Sequence, residues 1–143
     1  HYPLRRQRQM CIRDRFNNKD GKWVWKDSYV FVYDCRRNRM MAHPLRPDLV
    51  GQPIMQITDN SGKFIFRELC KVGSEARGGW VEYAWQKPGA GKLSRKLSYA
   101  LAADISFTTG IQVSAGIYDE KLTVPELGKE LEKMFDPAKY PAL

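Results

Sequence analysis

The 143-residue sequence predicts an α+β fold, one antiparallel sheet of five strands flanked by helices. Three observations predict it. Aromatic and β-branched residues alternate over 29–33, and three more strand-like runs follow on short turns after residue 79. Apolar stripes at helical spacing occupy 61–76 and the segment after Thr123.

Residues 16–27 (FNNKDGKWVWKD) are polar, with Asn, Asp and Gly marking a turn. The next strand puts Tyr29, Phe31 and Tyr33 on one face and Val30 and Val32 on the other, so both faces are covered. Asp34 to Asn38 turns the chain, and Arg39 to His43 returns beside it. Pro44 and Pro47 end regular pairing, because proline lacks the ladder donor, and 45–58 is left as a long loop. Asn60 or Ser61 is placed to cap a helix over 61–76, with Phe64, Ile65, Leu69 and Val72 as its stripe and Gly78-Gly79 as its stop. Strands over 79–87, 94–104 and 107–118 form a meander, the first pair joined by Pro88-Gly89-Ala90-Gly91. Thr123 caps the last helix, Pro125 lies in its first turn, and Leu127, Leu131 and Met134 share a face.

Gln9-Met10-Cys11-Ile12-Arg13-Asp14-Arg15 resembles the translation of a transposase end sequence used in sequencing libraries, so residues 1–15 are read as an artefactual leader. The domain then covers 16–122, followed by a C-terminal amphipathic helix and tail over 123–143. The upstream part of the gene, with any signal sequence, is expected to be lost. The leader holds five Arg and one Asp, half of the +8 formal charge, so the basic balance is not a property of the domain. With no RNP, KH or zinc-finger spacing and no long basic run, the sequence predicts no nucleic-acid partner. No run of eighteen apolar residues exists to span a membrane.

Cys35 and Cys70 form no C-x-x-C pair and are expected as two free, partly buried thiols, although an oxidising compartment would allow them to pair. Nor does the sequence predict catalysis. Outside the leader His43 is the only histidine, Gly-x-Ser-x-Gly is absent, and no glycine cluster has Walker spacing. Asp34 and Asp59, each opening an Asp-x-x-Gly/Asn type of turn, read as turn hydrogen-bond acceptors, so no metal and no cofactor is expected.

Four landmarks in order carry a family resemblance. The hairpin ending in His43-Pro44, with Gly51 and Asp59 to Gly62 after it, is the first. Gly79-Trp80-Val81-Glu82-Tyr83-Ala84-Trp85 is the second, Lys96-Leu97-Ser98-Tyr99 the third, and Ala115-Gly116-Ile117-Tyr118 the last. Together they resemble the Cache family of extracytoplasmic sensor domains, in particular stand-alone single Cache proteins of type 2. The resemblance implies a PAS-like half-barrel that binds a small metabolite, an organic acid above all, in the periplasm, with a membrane sensor protein as a possible partner. It also implies a long opening helix, missing here. The alternatives left open are a ligand-free PAS-like interaction module and the sensing segment of a chemoreceptor or histidine kinase.

An anion withdrawn from water needs charge-assisted donors, and Lys96, Tyr99 and His43 are the candidates. Tyr29, Phe31, Trp80, Tyr83 and Trp85 are candidate walls, for aromatic rings exclude solvent and shape a small cavity. Each ring equally suits plain core packing, His43 a structural hydrogen bond, and Lys96 an exposed position. Strand alternation sends Lys96 and Tyr99 to opposite faces and Trp80 away from Tyr83 and Trp85. Tyr83, Trp85 and Tyr99, all odd-numbered on adjacent strands, are read as the inward face.

Overall fold

A computed structural model describes residues 14–103 and 110–134. Most of the expected leader (1–13), the tail beyond Met134 and residues 104–109, expected to end one strand and begin the next, lie outside the described residues.

The strands are β1 (Val24–Trp25), β2 (Ser28–Asp34), β3 (Arg39–Ala42), β4 (Gly79–Gln86), β5 (Leu93–Ala102) and β6 (Ile111–Tyr118); the helices are α1 (Ile65–Gly73) and α2 (Val124–Met134). The sheet has six strands among the described residues, in the order β1-β2-β6-β5-β4, with β3 also paired to β2. All named pairs are antiparallel. The strand beyond the expected five is β1, whose Val24 and Trp25 pair with Tyr29 and Ser28 around a tight turn. Lys26 carries that turn in the left-handed region, with φ 54°. Two residues are too few to show an alternation, so the sequence pattern reads only as a turn there.

One face of the sheet holds the core. Tyr29, Phe31 and Tyr33 of β2, Val81 and Tyr83 of β4 and Ala100 of β5 pack there against Ile65, Phe66 and Leu69 of α1. Phe66 meets Tyr33 edge-on at 5.3 Å between ring centres, and Phe31 at 6.2 Å. Helix α1 is shorter than expected, and Asn60 and Ser61 do not cap it. Asp59 Oδ1 accepts the Ser61 N–H, its hydroxyl and the Lys63 N–H, which winds 59–63 into a turn. The N-cap position falls to Phe64, which has no side-chain cap bond. At the other end Gly73 closes the helix, where a Cβ would run into the Gln112 side chain. Gln112 itself accepts from the Tyr33 hydroxyl and donates to the Cys70 carbonyl, joining β2, β6 and α1 through one buried amide.

Asp34 and Asp59 have the turn roles expected of them. Asp34 Oδ1 accepts the Arg36 and Arg37 N–H groups, and Asp59 Oδ2 also accepts from Ala84 N on β4. The long loop after β3 is pinned back onto it. Met40 N–H donates to Gln52 O, Gly51 N–H to Met40 O, and Asn38 Oδ1 accepts from Ile54 and Met55 N–H. Helix α2 begins with a reciprocal cap: Thr123 N–H and hydroxyl donate to Glu126 Oε2, and Glu126 N–H donates back to Thr123 Oγ1.

The cysteines correct the sequence expectation. Cys35 and Cys70 form a disulfide, with Cα atoms 5.9 Å apart. The turn after β2 and the body of α1 meet only in the fold, so a separation of 35 residues gives no hint of the pairing. The bond ties α1 to the strand that carries the core aromatics. Replacing both cysteines by serine is expected to lower unfolding stability by about 3–4 kcal/mol, from the length of the loop it closes. Urea unfolding of the oxidised protein and the double variant measures the difference.

Candidate functional site

The register of the sheet decides which side chains meet. Strands β4 and β5 pair Tyr83 with Lys96, Trp85 with Ser94 and Trp80 with Tyr99. Each pair couples an odd with an even number, so Tyr83 and Trp85 share their face with Lys96 and Ser98. Tyr99 is therefore not part of the inward face with Tyr83 and Trp85, as same-number parity had suggested. Its ring lies 5.4 Å from Trp80 and its hydroxyl donates to the Arg77 carbonyl. Trp80 and Tyr99 together occupy the sheet's other face. Strand β5 pairs Lys96 with Tyr118 of β6, and β2 pairs Phe31 with Ser114 of β6. Tyr29, Phe31, Tyr83, Lys96 and Tyr118 consequently converge.

Lys96 is the centre of this convergence, only 1 % exposed. Its Nζ donates to the Tyr29 hydroxyl at 2.9 Å and lies 4.1 Å from the Tyr29 ring centre, 4.9 Å from Phe31, 5.5 Å from Tyr118 and 5.9 Å from Tyr83. Aromatic faces attract the ammonium through their negative quadrupoles. They replace its hydration only in part. Among the described residues no Asp or Glu forms an ion pair with it. Burial accordingly lowers its pKa from 10.5 to about 7. Gly116, opposite Ser98, leaves the lysine its path: a Cβ there would come within 2.7 Å of Lys96 Cε.

His43 stands beside this cage, 2 % exposed, with its ring 4.9 Å from Tyr29, 5.6 Å from Phe31 and 6.2 Å from Trp85. The Arg46 N–H donates to its Nδ1 at 3.0 Å, which leaves the hydrogen on Nε2. Burial, then the charges of Lys96 and Arg46, lower its pKa to about 3, so the ring is neutral. The backbone N–H of His43 donates to Asn17 Oδ1. Burial also raises Tyr29 to about 12 and pushes Tyr83 and Tyr118 upward, so all three keep their protons. Tyr83 shares a hydrogen bond of 2.8 Å with the Ser98 hydroxyl.

A cleft of about 270 Å³ opens next to Tyr29, walled by Leu45, Arg46, Trp85 and the start of the β4–β5 turn, Gln86 to Gly89. Tyr118 donates to the Gln86 carbonyl at 2.9 Å and Lys87 pairs with Asp27 at 3.5 Å, fixing that turn at the cleft's rim. Of the residues expected from sequence, Tyr29, Phe31, His43, Tyr83, Trp85 and Lys96 come together; Trp80 and Tyr99 do not. Arg46, Ser98, Gly116 and Tyr118 were missed. Tyr118 was within reach, since it ends a recognised motif, but only the β5–β6 register places it opposite Lys96. Among the described residues no cluster of three His, Cys, Asp or Glu could hold a metal ion, and no helix is long and apolar enough to cross a membrane.

The model of the family single Cache domain 2 matches residues 8–125. The chain belongs to this family. Cache domains are sensory, ligand-binding modules of chemoreceptors and sensor kinases, and the chain is such a sensor domain, not a catalyst. It is 37% identical over 79 residues to the sensor histidine kinase MctS of Rhizobium johnstonii, a match covering 55% of this chain and 17% of that protein. The chain thus spans less than a fifth of the curated relatives it matches. A solved Cache chemosensory domain that recognises carboxylic acids is 28% identical, with TM-score 0.67 over 81% of this chain and 74% of that one. The periplasmic sensor domain of a chemotaxis protein is 26% identical, with TM-score 0.64 over 79% and 73%.

The sign of the Lys96 shift makes a prediction for the ligand-free protein. Unfolding returns the lysine to its ordinary pKa of 10.5, so between about pH 7 and that value the unfolded chain binds more protons. Its burial therefore destabilises the fold fully below about pH 7, and the penalty fades as pH rises. Lys96→Met is expected to melt higher than wild type at pH 7, with the gap closing by pH 9–10. Thermal melts of both proteins across that range test it.

Proposed function

We propose that the chain binds a small organic carboxylate on the extracytoplasmic side of the membrane and reports its presence to a signalling protein. The observation that carries this reading is the buried Lys96 ammonium, whose one hydrogen-bond acceptor among the described residues is the Tyr29 hydroxyl. Such a group costs stability without a counter-ion, and a site that retains it has a use for the charge. In the free protein Tyr29 Oη occupies the place a carboxylate oxygen would take. A ligand entering the adjoining cleft meets Tyr29 and Trp85 first, with the lysine 2.9 Å beyond the hydroxyl. A carboxylate is the stronger acceptor, so it displaces the phenol and gains the ammonium. The neutral His43 Nε2–H and the Tyr29 hydroxyl complete the set of donors.

The disulfide supports the compartment. Such bonds persist in oxidising surroundings and are rare in cytosolic proteins. The likeness to a periplasmic sensor domain and to a carboxylic-acid-recognising Cache domain agrees with both halves of the reading.

Because the free lysine titrates near neutrality, a carboxylate above about pH 7 binds together with a proton. Calorimetry with short monocarboxylates, repeated at pH 8 in buffers of different ionisation enthalpy, is expected to show proton uptake and an affinity that falls as pH rises. Lys96→Met is expected to abolish binding while remaining folded. Stabilisation by amines or neutral sugars with no response to any carboxylate would contradict the proposal.

A further inference from the structure

We propose that the Arg46–Asp48 pair at the cleft mouth is a selectivity determinant that admits a ligand with one carboxylate and disfavours one with two. The inference rests on the carboxylate reading of the Lys96 site and adds to it which carboxylates fit.

Arg46 is a wall of the cleft, and its guanidinium carbon lies 5.7 Å from the Trp85 ring centre. A ligand anchored at Lys96 and running out past Tyr29 and Trp85 therefore arrives at this guanidinium. The fork is already engaged. Nε donates to Asp48 Oδ1 and Nη2 to Asp48 Oδ2, both at 2.9 Å. The backbone of Arg46 is held as well, since its N–H is given to His43 Nδ1. A bidentate carboxylate is the geometry a guanidinium prefers, so Asp48 stands where the second carboxylate of a ligand would bind.

Two costs then fall on a dicarboxylate. Its distal group loses hydration beside Arg46 and Lys87, cations whose charges are already matched by Asp48 and Asp27, and at Arg46 it approaches the Asp48 carboxylate, a like charge. A monocarboxylate meets neither. Its apolar tail lies against Leu45 and Trp85, which suit it. Both members of the pair can be changed without opening the core, for their side chains are 35% and 62% exposed.

The test is the ratio of affinities for dicarboxylates (propanedioate, butanedioate, pentanedioate) and monocarboxylates (ethanoate, propanoate, butanoate), measured by calorimetry on the whole chain. Wild type is expected to favour the monocarboxylates. Asp48→Asn is expected to raise the ratio in favour of dicarboxylates by about fivefold, the scale of one partly exposed ion pair. Adding Arg46→Met to that variant is expected to return the ratio to the wild-type value. A ratio that Asp48→Asn leaves unmoved, or a wild type that binds both classes equally, overturns the role of the pair while leaving the Lys96 site standing. A wild type that binds neither class overturns the carboxylate reading and this inference together.

Discussion

The burial of one ammonium group organises the inner face of this domain. Lys96 lies at the middle of β5, where any apolar residue would pack at less cost, and it is nearly sealed from solvent. With no Asp or Glu paired to it among the described residues, its neighbours are what such a charge requires: ring faces on three strands and a phenol to accept a hydrogen bond. The glycine at 116 follows from the same demand, because the lysine stem passes where a side chain would be. So does the neutral His43, whose proton is held off partly by the lysine's charge.

The rest of the fold keeps that arrangement in place. Helix α1 lays Phe66 against Phe31 and Tyr33, the Cys35–Cys70 disulfide ties the helix to the end of β2, and Gln112 bridges the two with its amide. The loop after β3 carries His43 and Arg46 to the cleft, and its return is fixed by hydrogen bonds to Met40 and Asn38. The candidate site thus has a sheet face on one side and a tethered loop on the other.

Much of the architecture was legible in the sequence, because alternation and turn chemistry are local. The strands from Tyr29 onward, the returning hairpin at His43, the capped last helix and the turn roles of Asp34 and Asp59 all follow from residues close in the chain. What was not legible depends on register or on distant meetings. Whether Tyr83 faces Lys96 or Tyr99 is settled by the pairing of Gly79 with Ala100, and a shift of one residue would reverse it. Cys35 in a turn and Cys70 within a helix offer no spacing from which to infer a bond. Arg46, two residues after a proline, reads as an ordinary loop cation until the fold sets it over Trp85.

The central claim is that Lys96 is a buried charge kept for an anionic ligand, and the lysine side chain can be observed directly. In protein carrying ¹⁵N-labelled lysine, the Lys96 Nζ resonance, assigned by its loss in Lys96→Met, is followed against pH with and without a short monocarboxylate. The free protein is expected to show it titrating near pH 7, and the ligand to move that midpoint upward. A midpoint near the ordinary lysine value of 10.5 in the free protein, unmoved by any carboxylate, would contradict the claim.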